Sequence, residues 1–204
     1  MIELFAKGGV FMYPILLCSV TAVAIFIERS WNLRRIYVVP SDFIDHVEEL
    51  ARRGNIPDAI LGCQNNKSSI ARILLAGLKN FGKRREEIKE RVEEAGRQES
   101  AALERFVETL GTIPGVSTLL GLLGTVSGMI QVFSVISTQA VVNPASLAGG
   151  ISEALITTYA GLTVAIPTIV MYKLLQSKTN ALILEMEQHS LRLVEYLKEK
   201  EGAL

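Results

Sequence analysis

Thiols and imidazoles are scarce in this sequence, which has two cysteines and two histidines among 204 residues. Cys18 lies in an apolar run and Cys63 in a polar stretch, so neither a disulfide framework nor a metal-ligand spacing is present. His46 and His189 are flanked by ordinary charged helix sequence and read as solvated surface residues, and no metal site is expected. Net charge is also missing: 21 basic residues balance 21 acidic ones, which leaves no electrostatic footprint for nucleic acid. No nucleophile–base pair occurs. The Gly-x-x-Gly patterns lack the Lys-Ser/Thr of a phosphate loop, so neither an enzyme nor a bound cofactor is expected. Strand-like alternation, repeats and low-complexity tracts are absent, and the expected class is all-α.

The most informative absence is local. Residues 8–27 carry no charge, and residues 109–172 carry only Glu153. Nearly all remaining charge falls in residues 28–108 or after Tyr172. A run of about 20 residues at ~1.5 Å each crosses a hydrocarbon core of ~30 Å. The second uncharged stretch is too long for one span. Its break belongs at residues 137–146, which are polar and hold the turn signal Asn143-Pro144. The chain therefore divides into an N-terminal segment 1–7, a first span 8–28, a helical segment 29–108, a second span 109–136, a loop 137–146, a third span 147–172 and a C-terminal helix 173–204. The expectation is an integral membrane protein with three transmembrane helices. Glu3 offsets Lys7 and no small-x-small site follows the first run, so a cleaved signal peptide is not expected. Pro14 sits near the outer end of that run, where an irregular first turn is tolerable, and Trp31 and Tyr37 suit an interfacial belt.

Arg29, Arg34, Arg35, Arg105, Lys173 and Lys178 adjoin the spans on one side, which should be cytoplasmic. The N-terminus and the loop 137–146 then lie on the periplasmic side. In the cytoplasmic segment Ser41 reads as the N-cap of a helix over 42–53 ended by Gly54. Pro57 opens a short helix to 64, and a third helix runs over 68–80 and stops before Gly82. From Arg84 onward, charges of both signs recur at i, i+3 and i+4 without a terminator, so this helix should run unbroken into the second span. In the tail, Ala181, Leu182, Leu184, Leu191, Val194 and Leu197 make an apolar stripe that needs burial, assigned here to packing within an oligomeric bundle.

Glu153 is the residue with most chemical content. A carboxyl inside a span costs about 2.5–3.5 kcal/mol on insertion scales. Two readings stand: a protonated acid bonded across a helix interface, or a pore-lining, proton-handling carboxyl. Thr157, one turn on, shares its face. The second span carries Thr118, Gly121, Thr125 and Gly128 on one face, and the pairs Gly124–Gly128 and Gly111–Gly115 are small-xxx-small patterns for close packing. The hydroxyl of Thr125 needs a partner or water at that depth. Ser127, Gln131 and Ser134 form another mildly polar row on this span. Ala154, Gly161 and Ala165 make a packing face on the third span, and Pro167 permits a bend there.

The segments LLGLLGTVSGMIQVF (residues 119–133) and AGGISEALITTYAGLTVAIPTIVMY (148–172) resemble the paired signature of the ExbB/TolQ/MotA proton-channel family. KGGVFMYPILLCSVTAVAIFIERSW (7–31) resembles the first span of its ExbB-like members. Ser127 stands where many relatives have Trp, and Gly149 where many have Pro. The resemblance implies a homo-oligomeric ring in the bacterial inner membrane, commonly a pentamer, around a pair of ExbD-like single-span partners. Proton flow would energise a TonB-like periplasmic protein and so transport across the outer membrane. It also implies that Glu153, Thr125 and Thr158 face the central pore, and that the essential proton-carrying Asp belongs to the partner. Alternatives are a TolQ-like subunit of the Tol-Pal system and a passive scaffold for single-span partners. Three spans rather than four argue against a flagellar stator.

Overall fold

The computed structural model describes residues 8–138 and 144–201. Its regular elements are all helices: α1 (Met12–Asn32), α2 (Arg35–Val38), α3 (Ser41–Arg53), α4 (Ile56–Asn65), α5 (Ser69–Leu78), α6 (Arg85–Thr138) and α7 (Pro144–Glu201). The all-α class read from the sequence is correct, and α1, α6 and α7 each contain a stretch long and apolar enough to cross a membrane. The expected unbroken helix from the charged segment into the second span is α6. Both long helices outrun the expected loop, since α6 continues to Thr138 and α7 starts at Pro144, a first-turn position that needs no N–H. Asn143 and the N-terminal segment 1–7 lie outside the described residues.

The chain forms two compact units. One comprises Met1–Glu28 and Phe106–Leu174, the other Arg29–Arg105 and Leu175–Leu204. In the first, α1 begins after a turn at residues 8–11, where Met12 N–H donates to Gly9 O at 3.3 Å. Pro14 falls in the first turn of α1, and no helix bond is lost. The apolar stretches of α6 and α7 pack antiparallel along a glycine seam. A Cβ at Gly161 would lie 2.6 Å from the Ser117 carbonyl oxygen, and one at Gly121 would lie 3.2 Å from the Thr157 carbonyl oxygen. At Gly128 it would meet the Gly150 carbonyl oxygen at 2.8 Å, so only glycine allows this approach of backbones. Away from the seam, Leu119, Leu122, Ile130, Phe133, Leu155 and Ile166 are each more than half exposed, an apolar surface suited to lipid or to neighbouring helices.

The second unit has an ordinary apolar core that includes Leu33, Val39, Ile44, Val47, Ile70, Ile73, Leu74 and Leu78. Its turns follow local rules. Gly54 closes α3 in the left-handed region at φ 81°, and the Ser68 hydroxyl caps α5 by accepting from Ala71 N–H. Ser41 is not the cap of α3. It is the first helical residue, Pro40 precedes it, and its hydroxyl turns to Asp42. The tail stripe also differs from expectation. Leu182, Met186, Leu193, Val194 and Leu197 are buried, whereas Leu184 and Leu191 are exposed. Spacing explains this, because 182, 186, 193 and 197 follow the helical repeat and 184 and 191 fall on the far side. This stripe is buried within the chain: a Cβ at Gly77 of α5 would touch Leu193 and Val92.

Charge pairs tie the tail to the small helices. Arg35 donates from Nε to both Glu185 oxygens at 2.9 and 3.1 Å, and from Nη2 to Oε1. A further pair joins α5 to α6, where Arg72 forks onto Glu99 with Nε on Oε1 and Nη2 on Oε2. His189 is not the solvated residue expected, since it is half-buried with Nδ1 3.3 Å from Glu48 Oε1. His46 is exposed.

Candidate functional site

Glu153 stands on α7 in its apolar stretch, half-buried. Backbone forms part of its surroundings. The Gly8–Gly9 turn that precedes α1 lies against it, so close that a Cβ on Gly9 would be 2.0 Å from Glu153 Oε1. Thr157, one helical turn later, is fully buried, and its hydroxyl reaches the Glu153 backbone carbonyl at 2.7 Å and the Gly8 carbonyl at 3.0 Å. Thr157 also packs over Gly124 of α6, where a Cβ would overlap its methyl group. Thr158 turns the other way and donates across the seam to the Gly121 carbonyl at 3.0 Å.

The structure thus gathers Glu153, Thr157 and Thr158 with Gly8, Gly9, Gly121 and Gly124, and splits the two threonines between different neighbours. Their separation follows from the ~100° turn per residue of a helix. Thr125 is half-exposed on α6 and donates to the Leu122 carbonyl at 2.6 Å, so its hydroxyl is satisfied within its own helix. Gly128 and Gly161 serve the seam described above, with Ala154 and Ala165 both buried on α7. Helix α7 continues through Pro167. Sequence reasoning missed the Gly8–Gly9 turn. The available signal was a glycine pair directly before an apolar span. It also missed Ser117, which is fully buried and returns its hydroxyl to the Pro114 carbonyl at 3.1 Å.

Among the described residues no group of His, Cys, Asp and Glu is placed to hold a metal. What remains is a carboxyl and a set of hydroxyls and carbonyls along the seam of apolar helices. Such an arrangement offers proton-exchanging and hydrogen-bonding groups where lipid offers none.

Three span-length apolar helices and one acid at their seam define a helical membrane protein with an intramembrane polar site. The chain belongs to the MotA/TolQ/ExbB proton channel family, whose profile matches residues 65–188. It is similar to a Synechocystis sp. protein provisionally called biopolymer transport protein ExbB-like 3, at 37% identity over 83% of this chain and 82% of the relative. It is also similar to the Tol-Pal system protein TolQ of Pseudomonas aeruginosa, at 33% identity over 79% of this chain and 68% of the relative. Against biopolymer transport protein exbB1 of Vibrio cholerae the identity is 27% over 94% of this chain and 86% of the relative. Membership places the chain in a membrane channel family that energises transport rather than in an enzyme family.

Proposed function

We propose that this chain is the channel-wall subunit of an ExbB-type motor in the bacterial inner membrane, using the proton motive force to energise TonB-dependent transport across the outer membrane. A ring of copies would enclose an ExbD-like single-span partner and act on a TonB-like periplasmic protein. The observation that carries this reading is Glu153, the sole acid in residues 109–172, set beside Thr157 at a helix seam. Each proton crossing would release about 2.3 kcal/mol per 100 mV. Glu153 and the threonines would supply the polar wall of the path, with Thr125 and Thr158 lining the pore in the ring and the Thr158 hydroxyl held by the Gly121 carbonyl. The basic residues flanking the spans support an N-terminus in the periplasm and a C-terminus in the cytoplasm. Arg34 stacks on Trp31 at 4.2 Å, and Lys173 on Tyr172 at 5.2 Å, pairings suited to the cytoplasmic interface.

The decisive experiment is reconstitution in liposomes with and without the single-span partner, with pH-gradient-driven proton entry as the readout. Flux should require the partner and fall on Glu153→Ala in rings of unchanged size. Flux indifferent to both manipulations would sink the reading in favour of a passive scaffold. The TolQ-like similarity supports a second reading, a Tol-Pal subunit. Expression in a strain lacking both endogenous subunits separates the two: restored TonB-dependent uptake supports the first, and restored envelope integrity alone supports the second.

A further inference from the structure

Gly8 and Gly9 lie outside the residues matched by the family profile, yet Gly9 lies directly against the Glu153 carboxyl. Gly9 has φ +68°, a conformation that L side chains rarely adopt, and it lies on the Glu153 carboxyl. The turn is held in place from two sides. The Gly8 carbonyl accepts from the buried Thr157 hydroxyl at 3.0 Å, and Gly8 itself is buried with Met12 and Ile156 beside its α-carbon. Thr157 is in turn pinned over Gly124. Backbone anchored at Gly8 therefore abuts the far end of a long side chain.

We propose that Gly9 is a positioning residue for Glu153: the turn at 8–9 is a backbone stop that sets where the carboxyl lies along the seam. The effect on proton flow rests on the channel reading above, but the placement itself does not. A methyl at position 9 would sit 2.0 Å from Oε1, and relieving that contact moves the flexible carboxyl by more than an ångström while leaving its chemistry intact. Gly82 supplies the control. It has φ +83° and nothing within 4 Å of a Cβ, so Gly82→Ala meets the same backbone restriction without touching an acid.

The test uses the reconstituted complex and two readouts, proton flux and the infrared carboxyl band of Glu153, assigned by its loss in Glu153→Gln. Gly9→Ala should shift that band and lower flux by about tenfold or more, as misplacement of a reacting group by an ångström does elsewhere. Gly82→Ala should leave band and flux at wild-type values. Combining Gly9→Ala with Glu153→Asp, which withdraws the carboxyl by one methylene, should restore flux above that of Gly9→Ala alone. Rescue of this kind separates displacement of the acid from a fold that has failed. An unshifted band in Gly9→Ala overturns the proposal whatever the flux; a shifted band with wild-type flux, where Glu153→Ala is inactive, overturns the effect on proton flow. If Glu153→Ala itself conducts normally, the channel reading has failed, and the band alone decides the positioning.

Discussion

A hydroxyl inside an apolar span has no bulk water to bond, and the threonines of this chain resolve that in two ways. Thr21, Thr125, Thr163 and Thr168 return to carbonyls three or four residues back, at 2.6–2.8 Å. Thr158 instead crosses the seam to Gly121. The two cases predict different costs. Thr158→Val should lower stability by about 0.6 kcal/mol, the average for interhelical bonds in membranes, and by at most about 1.7, and Thr125→Val should cost less. Reversible unfolding in mixed micelles would show it; equal losses would mean that the Thr158 bond adds nothing beyond a local one. Of the candidate site, Glu153 was legible from the sequence because a single acid in a long uncharged stretch is conspicuous. Its contact with Gly9 was not, because 144 positions separate them and no periodic pattern links a turn before α1 to the third turn of α7.

At the scale of elements, the seam between α6 and α7 sorts the glycines by what their missing Cβ would strike. Gly161 and Gly121 face backbone, which cannot yield as a side-chain tip can. Gly161→Ala should therefore destabilise the first unit by about 1–3 kcal/mol, measured by detergent-titrated unfolding. Gly115 has nothing within 4 Å, and Gly115→Ala should be neutral or stabilising by up to about 1 kcal/mol through helix propensity. If Gly115→Ala instead dissociates the proposed ring while the subunit stays folded, that glycine faces a neighbouring copy. The pattern Gly111-x-x-x-Gly115 marked both glycines alike from sequence. The structure separates them, with Tyr172 over Gly111 and open space at Gly115. The tail stripe teaches the same lesson. Apolar residues could be counted, but which of them face the core depends on the helical phase set by Gly77, Val92 and the small helices.

At the scale of the molecule, two units with different surfaces share one chain. The second unit closes over a core and depends on ion pairs at its edge. Hydrogen bonding from Arg35 is the main cause holding the Glu185 carboxyl below its ordinary 4.5, with the charges of Arg35 and His189 adding to it and burial opposing. An acid depressed in the fold stabilises it above the ordinary value, and that contribution is lost as pH falls through the folded value. Melting of the second unit, followed from pH 7 downward, should therefore drop below pH 4.5, and Glu185→Gln should flatten the slope. Burial pushes the Cys63 thiol up to about 12. At neutral pH it should resist alkylation until this unit unfolds, so its modification rate in denaturant reports that transition. Rapid labelling of the folded protein would contradict the burial.

The sequence by itself determined the helical class, the three apolar spans, the run of α6 from charged segment into span, and the isolation of Glu153. All of these follow from local composition and period, which a chain carries wherever it folds. Only the tertiary structure decided which glycines let backbones meet, which face of the tail is buried, that Thr157 and Thr158 serve different neighbours, and that Gly9 abuts the acid. Those depend on the register of one helix against another. That register is settled by packing between residues far apart in the chain, and no local pattern encodes it.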